Sequence, residues 1–166
     1  WQLGDLPRGY DHKYIYSHIG YNLKATDMQA ALGISQMDKL DGFVQARKDN
    51  FAYLTSKLQG TEGLILQVAT PKSDPSWFGY PIICPSYTCL SALRSHLEAA
   101  GIQTRSYFAG TITAHPGYAH LGKPEDQPNA AQVLKRVIFI GCNPGWGPEH
   151  FAHIEFAIKT FVPPTP

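Results

Sequence analysis

Thr26 followed by Gln29 opens a helix, and apolar residues recur behind them at helical spacing as far as Leu58. A Thr and a Gln three apart form a capping box, in which each side chain satisfies a backbone N–H left without a partner at a helix start. Asp27 adds a negative charge where the helix dipole favours one. Ile34, Met37, Leu40 and Val44 share a face, and the pattern continues through Phe51 and Leu54, so that face is expected to be buried. The run is longer than an ordinary globular helix. Gly33 and Gly42 each cost roughly 1 kcal/mol relative to alanine inside a helix, and a bend or break is expected near Asp41–Gly42. The rest of the chain is organised around this element.

Ser17 to Lys24 is irregular and polar, with Gly20 allowing a turn that other residues resist. A polar loop delivered to a helix N-terminus can present the Asn22 amide to a ligand. The plainer alternative is that Asn22 only closes a turn. His18 reads as a turn-packing residue. Trp1 to Tyr16, rich in Gly, Pro and aromatic residues, reads as an extended arm that packs through Trp1, Tyr10, Tyr14 and Tyr16.

Beyond Leu58 the elements are short. A short strand is expected within Leu64 to Val68, and a longer one from Trp77 to Cys84, which is aromatic and β-branched. Leu90, Leu93, Leu97 and Ala100 form a helix stripe that Gly101 is suited to cap. Ile102 to Phe108 reads as a strand, and Gly110 to Asn129, with its prolines and glycines, as mostly loop. Ala130 to Arg136 is a short helix and Val137 to Gly141 a strand. Pro148 opens a last helix with Phe151, Ile154, Ile158 and Phe161 on one face, stopped by Pro163 and Pro164. The expected fold is α/β (α+β): a small, mainly antiparallel three-stranded sheet packed by helices, with a long N-terminal helix.

Composition narrows the function classes. A chain of 166 residues suits one domain with a sizeable core. Its net charge of +1 gives no electrostatic case for nucleic acid or an anionic membrane. No apolar run approaches the about 20 residues needed to span a bilayer. Cys84, Cys89 and Cys142, an odd number, argue against a disulfide framework and for a reducing, cytoplasmic setting. Cys84 and Cys89 have no second pair, which disfavours a zinc or iron–sulfur site. The chain starts at Trp1 without a methionine and is expected to be a fragment.

The stretch His18-Ile-Gly-Tyr-Asn-Leu-Lys-Ala-Thr-Asp-Met-Gln resembles the sugar aminotransferase and dehydrase (DegT-type) family of the aspartate aminotransferase fold. Within it, the likeness is greatest to the CDP-4-keto-6-deoxyglucose 3-dehydrases. It continues through Lys72-Ser-Asp-Pro-Ser-Trp-Phe-Gly-Tyr-Pro-Ile and Gly101-Ile-Gln-Thr-Arg-Ser-Tyr-Phe-Ala-Gly, and fades into Phe139-Ile-Gly-Cys-Asn-Pro-Gly. It covers nearly all of this chain but only the C-terminal part of the family's architecture. The resemblance therefore implies an arm and Gly-Tyr-Asn turn over 1–25 and a C-terminal domain over 26–166, with the large cofactor domain absent.

Several residue roles follow from the resemblance alone. Asn22 would reach across a dimer interface to the partner's cofactor phosphate, a task suited to an amide because it donates without adding charge. Lys24, where many family members carry Arg, would either support that phosphate or sit in solvent. Ser76, Trp77 and Phe78 would line the sugar-nucleotide side, or else begin a buried aromatic strand. Arg105 would bind a diphosphate, or else point off an edge strand. The dehydrases commonly read Asn-Leu-Thr-Arg-Gln-Pro where this chain has Thr111-Ile-Thr-Ala-His115-Pro, so the Asn and Arg are gone and His115 is a candidate substitute. No catalytic residue is assigned. The cofactor lysine, or the histidine replacing it, belongs to the upstream domain, as do the cysteines of the family's 2Fe-2S cluster. His150 and His153 form an HxxH pair without a carboxylate partner, a solvated face more readily than a metal site.

The implied function is the C-terminal domain of a pyridoxal- or pyridoxamine-phosphate-dependent nucleotide-sugar 3-dehydrase. It would hold no cofactor alone, form a homodimer and bind a nucleotide-sugar in the complete enzyme. A different class remains open: a free-standing, non-catalytic binding protein derived from that domain. A third is a small enzyme using His115 or the His150/His153 pair.

Overall fold

A computed structural model describes residues 20–21, 23–108 and 110–164. The chain divides into two units, the first ending at Asp38 and the second running from Lys39. Asn22, His18 and the Trp1–Tyr16 arm lie outside the described residues.

Helix α1 spans Asp27–Leu58. Its capping box forms as read: the Thr26 amide donates to Gln29 Oε1 at 2.9 Å, and the Gln29 amide to Thr26 Oγ1 at 3.3 Å. Two expectations for this helix are corrected. The helix runs unbroken through Gly42, because neither Gly33 nor Gly42 takes a positive φ and each costs propensity without forbidding helical backbone. The face expected to be buried is open: Ile34 is 68% exposed, Met37 65% and Leu40 44%. Burial in α1 is confined to Asn50, Phe51, Leu54 and Leu58. Periodicity marks a surface that favours cover, and it cannot say what supplies the cover.

The second unit holds strands β1 (Ile65–Leu66), β2 (Gly79–Ile83), β3 (Thr104–Ser106) and β4 (Val137–Gly141). They form one antiparallel sheet in the order β1-β2-β4-β3. The short strand foreseen at 64–68 joins the sheet, so it has four strands rather than three. β1 ends at Leu66, opposite Ile82. The next position on β2 is Pro81, which has no N–H to offer a longer neighbour. Helices α2 (Tyr87–Ala99), α3 (Pro128–Arg136) and α4 (Pro148–Lys159) complete the unit. Ser86 caps α2 by accepting from the Cys89 amide, and Gly101 follows its end at φ +77°. The span read as mostly loop contains three short 3-10 turns, Ile112–Ala114, Pro116–Leu121 and Pro124–Asp126.

Side chains alternate across the sheet. Tyr80, Ile82, Ile138, Ile140 and Thr104 take the inner face and are buried. Tyr80, Ile82, Ile138 and Ile140 pack in one core with Leu90, Leu93 and Leu97 of α2, Ile154 and Ile158 of α4, and Phe51, Leu54 and Leu58 of α1. Each such side chain contributes about 1.5–3 kcal/mol by leaving water. The opposite parity puts Pro81, Phe139 and Arg105 on the outer face. No helix among the described residues is long and apolar enough to cross a membrane.

Candidate functional site

The approach to β2 is fixed from two directions. Arg47 on α1 donates from Nη1 to the carbonyls of Trp77, at 3.0 Å, and of Phe78, at 3.2 Å. The Trp77 ring stacks on Phe51, centroids 3.9 Å apart and planes 9° from parallel. Successive carbonyls of an extended strand point to opposite sides. One nitrogen serving two in a row requires a bend, and this explains why β2 begins at Gly79 rather than at Trp77 as the sequence suggested.

The bend sends the two rings apart. Trp77 is half-buried against Phe51, whereas Phe78 is 66% exposed and joins an aromatic group on the outer sheet face. Phe139 is its centre: Phe78 and Phe108 lie 5.8 Å away, and Tyr107 meets it edge-on at 6.1 Å. Phe108 takes φ 46°, a left-handed backbone that non-glycine residues adopt at a cost. Arg105 pairs in register with Phe139, so its guanidinium carbon chain leaves the sheet on the same face. It is exposed, and its Nη1 donates to its neighbour's carbonyl, Thr104 O, at 3.2 Å. The face therefore offers rings and a cation together, a combination suited to a flat heterocycle bearing phosphates.

Beside the Ser76–Phe78 bend lies a cleft of about 540 Å³ lined by Leu40, Phe43, Val44, Arg47, Ser76 and the Asn143–Gly145 turn. That turn is tied to α1: Asn50 Nδ2 donates to Asn143 O at 2.7 Å, and the Cys142 thiol donates to Arg47 O at 3.4 Å.

The structure thus brings Phe78 and Arg105 to one face and Trp77 to the bend beneath it. His115 sits between two 3-10 turns, half-buried, its amide bonded to Ile112 O and its carbonyl to the Tyr118 amide. Lys24 is exposed in the first unit. His150 Nδ1 accepts from the Gly147 amide at 3.1 Å, and His153 Nε2 bonds Ala100 O at 2.8 Å, so each imidazole is engaged in holding a helix start or a loop. Among the described residues no three His, Cys, Asp or Glu gather to hold a metal. The three cysteines are buried and free. Burial, with neighbouring Cys89, pushes the Cys84 thiol up to about 12 against the pull of Arg136. Burial pushes Cys142 up to about 11 against the pull of Arg47.

Sequence reasoning missed Tyr107, Phe108 and Phe139 as members of this surface, and Arg47 as the residue that fixes the bend behind it. Only Phe139 carried a signal, since in Val137-Ile-Phe-Ile-Gly it alternates with two core isoleucines.

The sequence profile of the DegT/DnrJ/EryC1/StrS aminotransferase family matches residues 5–159. The chain belongs to that family. It is 43% identical to the lipopolysaccharide biosynthesis protein RfbH of Salmonella typhimurium, covering 96% of this chain and 38% of that protein. It is 42% identical to a dTDP-4-dehydro-2,6-dideoxy-D-glucose 3-dehydratase of Saccharopolyspora spinosa, over 98% of this chain and 36% of the relative. The crystal structure of Streptomyces venezuelae DesV in complex with a ketimine intermediate superposes with a TM-score of 0.81 at 28% identity, over 91% of this chain and 40% of DesV. This DegT-family chain thus spans well under half the length of these relatives, and its fold matches the corresponding part of an aminotransferase-fold enzyme.

Proposed function

We propose that this chain is the C-terminal domain of a nucleotide-sugar 3-dehydrase, with residues 1–25 as the arm and turn and 26–166 as the domain. The supporting observation is the outer sheet face, where Arg105 stands in register with Phe139 among Phe78, Tyr107 and Phe108. Arg105 binds the diphosphate of the substrate, and the exposed rings of Phe78 and Phe108 pack against its flat or apolar parts. Trp77 supports that surface from below. His115 contributes a polar edge in the loop that departs from the family pattern.

The family's cofactor, pyridoxal or pyridoxamine phosphate, supplies an electron sink for breaking bonds next to the sugar carbonyl. The fit of this chain to it is partial. Lys24 is exposed just ahead of the capped helix; its ammonium is a donor suited to a phosphate, as the amide that the resemblance assigns at Asn22 would be. These two residues hold the cofactor phosphate of a partner subunit in a cytoplasmic homodimer. A lysine and an asparagine supply donors for a phosphate and no surface for the ring.

The test is calorimetric titration of the complete subunit with CDP-glucose and dTDP-glucose. Arg105→Met weakens binding roughly tenfold to a hundredfold, as expected for loss of a hydrogen bond to a charged group. Unchanged affinity for both sugars would remove Arg105 and this face from the substrate site.

A further inference from the structure

We infer that Arg47 is a positioning residue for the substrate-facing surface, and that it acts through Phe78. This rests on the reading of the outer face as a nucleotide-sugar surface and names a residue that sets its shape. Arg47 lies on α1, away from that face, and its guanidinium ends on two consecutive backbone carbonyls, Trp77 O and Phe78 O. Holding both on one nitrogen fixes the bend at which the chain turns into β2. At that bend Trp77 goes down onto Phe51, and Phe78 goes out to Phe139 and Phe108. The same helical turn holds the other strand end beside it. Gly79 pairs with Gly141, Asn143 O accepts from Asn50, and the Arg47 carbonyl accepts from Cys142. Arg47 thus lies in a clamp that grips the entry to β2 and the exit of β4 together. A lysine in its place is a compact charge on a shorter reach, and methionine has no donor at all.

The experiment is a double-mutant cycle in the complete subunit, read as affinity for CDP-glucose and dTDP-glucose beside cofactor absorbance. Arg47→Met is expected to weaken binding roughly tenfold with the cofactor retained, and Arg47→Lys to restore part of that loss. Phe78→Ala alone also weakens binding. Adding Arg47→Met to Phe78→Ala costs nothing further, because the arginine works through the ring already removed. Lys48→Met is the control: it breaks the neighbouring ion pair to Asp74, 2.6 Å long, and leaves affinity unchanged. Where Arg47→Met does not fold, Arg47→Lys serves in the same cycle. Additive losses for the Arg47 and Phe78 changes, or wild-type binding by either single variant, overturn the inference. Arg105→Met run in parallel separates the failures. If it weakens binding, only the positioning role has failed; if it does not, the surface itself has been misread.

Discussion

The Phe139 ring reaches diagonally from its place opposite Pro81 to lie against Gly79: a Cβ built on Gly79 would sit 2.4 Å from Phe139 Cδ2 and 2.9 Å from the Ile140 carbonyl oxygen. The glycine is what lets the central ring of the outer face come this close to β2. Gly79→Ala is therefore expected to push that ring outward and destabilise the domain by about 1–3 kcal/mol. Gly101→Ala is the informative comparison, since nothing lies within 4 Å of its added methyl and only its φ of +77° resists. Urea unfolding should rank Gly79→Ala as the more damaging on the aromatic face, seen as altered near-ultraviolet ellipticity. An unaltered aromatic signal would contradict this packing.

Burial of the thiols gives an alkaline limit to stability. Cys84 and Cys142 are raised from 9.0 to about 12 and about 11, and burial raises Tyr80 from 10.0 even though Thr55 hydrogen-bonds it. The folded state keeps protons that the unfolded state releases, so this stability is whole below about pH 9 and falls as pH rises through about 11 and 12. Urea midpoints measured across that window should drop. Replacing Cys142 by Ala or Ser should flatten the drop; a slope unchanged by the replacement would show that Cys142 has no part in it.

The sequence carried the inner half of the fold well. The Thr26–Gln29 box, the α2 and α4 stripes and the Val137–Gly141 strand are all encoded by neighbours in sequence, through capping, periodicity and alternation. What it did not carry depends on residues far apart. The start of β2 is set by Arg47, some thirty positions earlier, reaching two carbonyls. The strand read at Ile102–Phe108 stops at Ser106, and the chain then turns to place Tyr107 and Phe108 around Phe139. The uncovered face of α1 looked like core because apolar spacing is the same whether the cover comes from this chain or another.

That uncovered face leads to an association prediction. Ile34 and Met37 on that face, both in the first unit, are each more than half exposed. Apolar area of this kind is worth about 25 cal/mol per Å² when covered, and a twofold pairing covers one patch with its own copy. The chain by itself should dimerise at tens of micromolar in light scattering, and Ile34→Lys with Met37→Glu should make it monomeric. A monomer before any substitution would count against cover by a second copy.

We propose that the complete protein breaks the bond from carbon 3 to its hydroxyl oxygen in a nucleotide-linked sugar. The most direct measurement uses a nucleotide-linked 4-keto-6-deoxyhexose carrying a heavy-oxygen label at carbon 3, incubated with the complete subunit and pyridoxamine phosphate and followed by mass spectrometry. Washout of the label to solvent is expected, slowed when Arg105 is replaced by Met. Full retention of the label, with an amino group gained by the sugar or with no change at all, would contradict it.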